Sequence, residues 1–375
     1  MGDNMLKKFT VKNYKSFKEP ITIDFSNHRD YKFNEHCVSN GLLSKLVIYG
    51  KNSSGKSNLG YAIFDIVGLL TDKHTNVQQK DIHSFLNADN NEKEATFEYV
   101  FKKGNDDIRY LYKKSAPETL IFEELYVNDK KVFSYDYDLD EIDFPMRNEL
   151  GAENLNFEYQ EKGFSTLRYI ANNSKQDEDS VIKFIMNFVL HMLWFRSLQS
   201  NGYIGLTTGS ESLADSIIEN DQLNEFEEFL KDLADIDKQL DYEVDETTHK
   251  KTIIEKHTYR SLNFESVLSS GTKALMLLFF WSKKFKDVSF LFMDEFDAFY
   301  HHDLSKNIIK YISKLNVQTI FTTHNPYLAS NELLRPDCYF VINDGKISSF
   351  PDSTDRELRE GHSLDKMLRN GEFDG

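Results

Sequence analysis

Only two cysteines, Cys37 and Cys338, occur in 375 residues. They form neither a disulfide framework nor a thiolate metal pattern, so a reducing, cytoplasmic setting is expected. Six prolines leave no proline-rich linker to divide the chain. Positive charge is in deficit: 45 Lys and Arg face 61 Asp and Glu, a net charge of −16. The summed field repels DNA and RNA phosphates, so a nucleic-acid contact would need a local basic patch. No sustained heptad run appears, which excludes a long coiled coil. The most apolar stretch, VIKFIMNFVLHMLWF (181–195), is too short to span a bilayer and contains Lys183 and His191. It reads as one buried helix. The opening MGDNMLKKFTVKNYKSF has no apolar segment of a signal peptide. Leu6 stands where a myristoylation motif at Gly2 needs Ser or Thr, and Met5 reads as the natural start.

What is present is a large apolar and aromatic complement, 40% hydrophobic with 30 Phe and 19 Tyr, enough for a substantial core. Residues 5–25 alternate like paired strands with a turn near Lys18-Glu19-Pro20. LVIYG (46–50) reads as a buried parallel strand. NLGYAIFDIVGLL (58–70) reads as a helix with a stripe through Leu59, Ile63, Ile66, Val67 and Leu70. From about residue 94 the period becomes two, as in an antiparallel meander. Residues 180–240 are helical in period, and DYEVDE and KTIIEKHTYR resemble a strand pair. SFLFMDE and VQTIFTTH read as two more buried strands around a helix near 303–314, and FVINDGKISSF as a terminal hairpin. The pattern predicts one α/β core assembled from residues 1–85 and 261–350. Between these halves fall an antiparallel β subdomain (86–145) and a helical insertion with short strands (146–260); a tail follows (351–375).

Gly50-Lys51-Asn52-Ser53-Ser54-Gly55-Lys56-Ser57 fits G-x-x-x-x-G-K-[ST], the phosphate-binding P-loop. Its glycines let backbone N–H groups and a helix N-terminus face anionic oxygens. Lys56 is placed to reach β- and γ-phosphates, and the Ser57 hydroxyl to ligate Mg²⁺. A chance match in such a chain is on the order of one per cent. Asn58 follows at the helix start.

Asp294 and Glu295 end the apolar strand FLFMDE. In this context Asp294 is the candidate Mg²⁺ holder, and Glu295 the candidate base for an attacking water. His324, in FTTHN after the next strand, is placed to return to the same sheet edge and contact a γ-phosphate. LSSGT (268–272) precedes a helix opening at residue 272, and alone it reads as an ordinary N-cap. The acidic set Asp136, Asp138, Asp140 and Asp143 contains D-x-D patterns but reads as a solvated loop.

Taken in order, P-loop, LSSGT, Asp-Glu and His resemble the ABC-type ATPase superfamily, with LSSGT at the position of its signature loop. Ser269 and Gly271 match that signature, while Ser270 replaces its first glycine. The opening LKKFTVKNYKSFKEP is similar to SMC- and RecF-like ATPases. The tail LREGHSLDKMLRNGEF resembles ATPases of bacterial anti-phage systems related to OLD, including the RloA group and the PARIS ATPase subunit. The resemblance implies an ABC-type α/β head that sandwiches ATP and Mg²⁺ between two copies. Ser269 and Gly271 would then act in trans on the partner's γ-phosphate. It also implies a communicating role for Asp297 and a glutamine loop, for which Gln78 and Gln79 are candidates. Lys15 and Ser16 are candidates to approach the nucleotide from the first strands.

The expected output is conformational. A homodimer, or a larger ring of dimers, would sense a phage-derived trigger and control a separately encoded effector, such as a nuclease. About 50 residues follow His324, fewer than a fused nuclease domain needs. The alternative is a DNA-binding RecF- or SMC-like ATPase of repair or restriction, which the charge balance disfavours.

Overall fold

A computed structural model describes residues 4–71, 73, 84–157, 163–196, 202–205, 213–246, 249 and 251–374. The chain opens with β1 (Asn4–Lys12) and β2 (Ile21–Asp24), then the short pair β3 (Val38–Ser39) and β4 (Leu42–Leu43). β5 (Lys45–Tyr49) leads through a loop into α1 (Lys56–Leu70). A meander follows: β6 (Ala95–Lys103), β7 (Asp106–Ala116), β8 (Thr119–Val127), β9 (Lys130–Asp136) and β10 (Glu141–Asp143). Next come α2 (Thr166–Asn173), α3 (Val181–Leu190), β11 (Met192–Arg196), β12 (Gly202–Gly205), α4 (Leu213–Glu219) and α5 (Leu223–Ala234). A small sheet of β13 (Leu240–Val244), β14 (Lys251–Lys256) and β15 (Ser261–Asn263) precedes α6 (Phe264–Val267) and α7 (Ser270–Ser282). The chain closes with β16 (Phe290–Asp294), α8 (His302–Ser313), β17 (Gln318–Thr323), β18 (Tyr339–Asn343), β19 (Lys346–Ser349) and α9 (Leu364–Arg369).

Two seven-stranded sheets organise these elements. The central sheet has the order β12-β11-β16-β17-β5-β18-β19. Its five inner strands run parallel and its two edge strands antiparallel. Every residue of β5, β11, β16 and β17 is buried, as continuous apolar strands covered on both faces should be. The second sheet, β10-β9-β8-β7-β6-β1-β2, is antiparallel. Along β6 and β7 burial alternates, because one face meets the core and the other meets water. The architecture is mixed α/β, a mostly parallel central sheet combined with an antiparallel sheet and helices.

α1 lies between the two sheets. Towards the central sheet its Phe64 packs on Trp194 at 5.4 Å between ring centroids. Trp194 and Phe195 are neighbours on β11, so their side chains take opposite faces; Phe195 meets Trp281 of α7 at 6.1 Å. Towards the antiparallel sheet, the Tyr99 hydroxyl donates to the carbonyls of Ala62 (3.0 Å) and Ile63 (3.2 Å). Asp65 accepts from Lys114 Nζ at 2.7 Å and from the Tyr112 hydroxyl at 2.9 Å, all buried. A second buried carboxylate, Glu123 on β8, takes the Tyr110 and Tyr137 hydroxyls, Ser165 Oγ and the Thr166 and Leu167 N–H groups. It thereby ties the start of α2 to the sheet, where backbone N–H groups lack helical partners.

One expectation from sequence is corrected. Residues 181–195 are not one helix: α3 ends at Leu190 and the chain turns at His191 into β11. An unbroken apolar run has no period to separate a buried helix from a buried strand. The position between β12 and β16 decides the outcome. The helix expected to open at residue 272 starts two residues earlier, at Ser270. The acidic set 136–143 lies at the β9–β10 turn, with Asp138, Asp140 and Asp143 exposed and Asp143 paired with Lys131 at 2.8 Å. Both cysteines are buried and free. Among the described residues, no helix is long and apolar enough to cross a membrane.

Candidate functional site

The C-terminal ends of the parallel strands form one edge, where open α/β sheets bind ligands. β5 delivers the 50–55 loop there. A Cβ on Gly50 would lie 2.3 Å from Ser54 Oγ and 2.6 Å from Ile342 Cγ2, so no other residue fits. Gly55 has φ +106°, and a Cβ there would come within 2.8 Å of Ser16 Oγ. It therefore meets both a left-handed backbone and a close approach. Ser53 is left-handed too, at φ 65°. α1 begins at Lys56 with no side-chain cap on Gly55, leaving its first N–H groups for an anion. Ser54 Oγ is buried and has no partner among the described residues. Asn52 is exposed, and Asn58 Nδ2 donates to Ser16 Oγ at 2.9 Å.

Lys56 is buried, and its Nζ donates to the carbonyls of Gly50 (2.7 Å) and Lys51 (3.1 Å). The same ammonium stands 3.1 Å from Glu295 Oε1. Glu295 has φ 47°, a conformation that costs energy in a non-glycine residue and that gathers at functional sites. Its N–H donates to Thr322 Oγ1 at 2.8 Å, and its Oε2 lies 3.0 Å from His324 Nδ1. Asp294 accepts from Ser57 Oγ at 2.8 Å and from Thr322 Oγ1 at 2.7 Å. Burial raises the Asp294 carboxyl above the usual carboxylate range, against the pull of these hydroxyls. Burial likewise raises Asp297. One Asp297 oxygen takes the Thr323 hydroxyl at 2.8 Å and the other is an orphan among the described residues.

The structure thus brings Lys56, Ser57, Asp294, Glu295 and His324 together, from three neighbouring parallel strands and a helix. Ser57 and Asp294 offer two hard oxygens side by side, the donor type that a Mg²⁺ ion takes. No group of three or more His, Cys, Asp or Glu among the described residues could hold a metal alone.

Ser269 and Gly271 lie elsewhere. Ser269 is exposed and caps α7, accepting from the Thr272 N–H at 3.1 Å. A Cβ on Gly271 would lie 2.9 Å from the Phe299 carbonyl oxygen, so the LSSGT loop packs against the segment that follows Asp297. Gln78 and Gln79 lie outside the described residues, as do residues 1–3. Ser16 touches the P-loop as above, and Lys15 Nζ stands 5.5 Å from the Tyr61 ring centroid. Three further residues border the site without having been assigned from sequence: Thr322, Tyr61 and Arg196. Thr322 sits inside FTTHN. Arg196 closes the apolar strand MLWFR, and its place beside Asp294 comes only from the strand register.

A family model described as "AAA domain, putative AbiEii toxin, Type IV TA system" matches residues 45–330. The chain belongs to this AAA-domain family. It is thereby a P-loop ATPase-class protein, and the match spans the P-loop, LSSGT, the Asp-Glu pair and His324. Among solved structures, the AAA-domain chain is similar to the SMC head domain from Thermotoga maritima. Identity is 18% and the TM-score 0.44, over 92% of this chain and 98% of that one. It is also similar to a Pyrococcus furiosus Smc head with an extended coiled coil, bound to the C-terminal domain of ScpA. Here identity is 16% and the TM-score 0.45, over 98% of each chain. Likenesses at this level carry no statement about activity or partners. No protein of curated function matches the chain.

Proposed function

We propose that the chain binds and hydrolyses ATP with Mg²⁺ at an interface between two copies, and that the resulting dimer controls a separate effector. The observation that carries this reading is the convergence of Lys56, Ser57, Asp294, Glu295 and His324 at one sheet edge. The loop 50–57 cradles the phosphates through backbone N–H groups, and Lys56 reaches the β- and γ-oxygens. Ser57 and Asp294 would hold Mg²⁺, which would supply charge neutralisation at those oxygens. Glu295 takes a proton from the water that attacks the γ-phosphorus, and ADP leaves. His324 orients Glu295 and the water. Ser269, Gly271 and the α7 N-terminus complete the site of a second copy. Asp297, one segment from Gly271, couples the two sites.

The setting we propose is a bacterial defence system in which the dimer responds to a phage product and governs an effector, for instance a nuclease. The family description, which names a toxin–antitoxin system, and the tail resemblance support it. The test mixes two inactive variants, Lys56→Met and Ser269→Arg. Half of the randomly formed dimers then hold one intact composite site, restoring about a quarter of wild-type turnover. No restoration, with each variant folded and dimeric, overturns the trans arrangement.

A further inference from the structure

Arg196 closes β11, and in the parallel register it stands beside Asp294. Its side chain is buried, and a guanidinium stays charged wherever it is placed. The guanidinium carbon lies 5.0 Å from the Tyr61 ring centroid and 4.9 Å from that of Trp194. Two aromatic faces therefore fix its position, as cation–π contacts do. One amino group donates to the Tyr61 hydroxyl. Its Nε–H is buried and finds no acceptor among the described residues. Asp294 is within electrostatic reach, yet its oxygens are taken by Ser57 and Thr322. A buried, charged donor left unmatched is costly and calls for a functional account.

Position narrows the account. Strands sit about 4.8 Å apart, and β11 is separated from β5 by β16 and β17. The P-loop on β5 holds the inner phosphates, and Ser57 with Asp294 marks the metal over β16. A cation at the end of β11 lies beyond Asp294 from the P-loop strand, the side on which a terminal phosphate would project if the inner phosphates sit on the loop. Tyr61, one turn after Ser57 on α1, links the cation to the same helix that receives the phosphates.

We infer that Arg196 is a γ-phosphate contact of this site, the residue by which the chain prefers a nucleoside triphosphate over the diphosphate. This rests on the nucleotide-binding reading above and adds a discriminating residue to it. Arg196 then gains its missing acceptor when ATP binds and loses it after hydrolysis. The end of β11 would feel the difference.

The experiment compares affinities of full-length protein for fluorescent, non-hydrolysable ATP and ADP analogues with Mg²⁺. Wild type is set against Arg196→Met, which keeps the apolar stem, and Arg196→Lys, which keeps the charge. The expected result for Arg196→Met is a loss of triphosphate affinity of about 10- to 100-fold, the worth of a charge-assisted hydrogen bond. Diphosphate affinity stays unchanged, and Arg196→Lys recovers part of the preference. Equal losses for both nucleotides, or an unchanged ratio in folded Arg196→Met, overturn the inference while leaving nucleotide binding intact. A wild type that binds neither analogue removes the nucleotide reading and this inference together. Tyr61→Phe gives a second check, because it loosens the clamp without removing charge. It should lower the triphosphate preference in the same direction by a smaller factor, and an unchanged ratio there counts against the clamp.

Discussion

Lys56 Nζ lies 3.1 Å from Glu295 Oε1, with the lysine side chain 3% and the glutamate side chain 12% exposed. The carboxylate holds the cation that the P-loop would otherwise offer to phosphate. Glu295→Gln weakens this pairing and abolishes the base, so nucleotide binding should persist while turnover falls by about 10²- to 10⁴-fold. Phosphate release and nucleotide retention on the same preparation check both halves. Unchanged turnover would reassign the base.

Gly60, in the middle of α1, sets two magnitudes against each other. In an open helix, Gly→Ala would stabilise by about 1 kcal/mol. Here a Cβ would meet Trp194 Cζ2 at 2.7 Å and Phe292 Cε1 at 2.9 Å, and overpacking rigid rings costs about 1–3 kcal/mol. The clash wins, so Gly60→Ala should lower the denaturation midpoint. A higher midpoint would show that α1 can slide on the central sheet.

The Asp65–Lys114 pair, with side chains 2% and 4% exposed, gives an asymmetric prediction. Lys114→Met leaves a buried carboxylate without its cation and should cost about 3–5 kcal/mol. Asp65→Leu with Lys114→Met removes both charges and should be clearly less damaging than the single change. Equilibrium denaturation of the two variants decides; a double variant as unstable as the single one would mean that the Tyr112 bond dominates.

Lys45 predicts a pH effect. Burial lowers its pKa from 10.5 to about 8 despite the opposing pull of Cys37 and Cys338. Between those values the unfolded chain holds more protons than the folded one, so stability rises with pH. The contribution amounts to about 3 kcal/mol over the whole window. Below pH 8 both states are charged and the slope vanishes. Lys45→Met should flatten the rise seen by urea denaturation between pH 8 and 10, although it strands the Leu315 and Val317 carbonyls that the ammonium serves. An identical slope in the variant would place the titration elsewhere.

The parts legible in sequence were those written locally. Gly50 to Ser57 is a contiguous pattern whose glycines answer to a φ of +106° and to close contacts. The stripe Leu59, Ile63, Ile66, Val67 and Leu70 carried the helix period and is fully buried. Glu295 and His324 could be paired in advance because a helix and a strand bring the chain back to the same edge. Arg196 was hidden for the opposite reason. Its meaning lies in standing beside Asp294, far along the chain, and MLWFR within a longer apolar run carries no period. Tyr61 was hidden because a tyrosine in a helix shows nothing of the strand end above it.

The strand that carries the P-loop ends at Tyr49, while its two neighbours begin at Gln318 and Tyr339. Translation proceeds at about 5–20 residues per second, so β5 leaves the ribosome roughly 15–50 s before it can be hydrogen-bonded on either side. The meander is complete by Asp143 and already supplies Lys114, Tyr112 and Tyr99 to α1. The nascent chain can therefore park the P-loop helix on the antiparallel sheet early, with LVIY waiting as an unpaired apolar edge. Synthesis must therefore pass β17 and β18 before the strand that leads into the 50–57 loop is hydrogen-bonded on both sides.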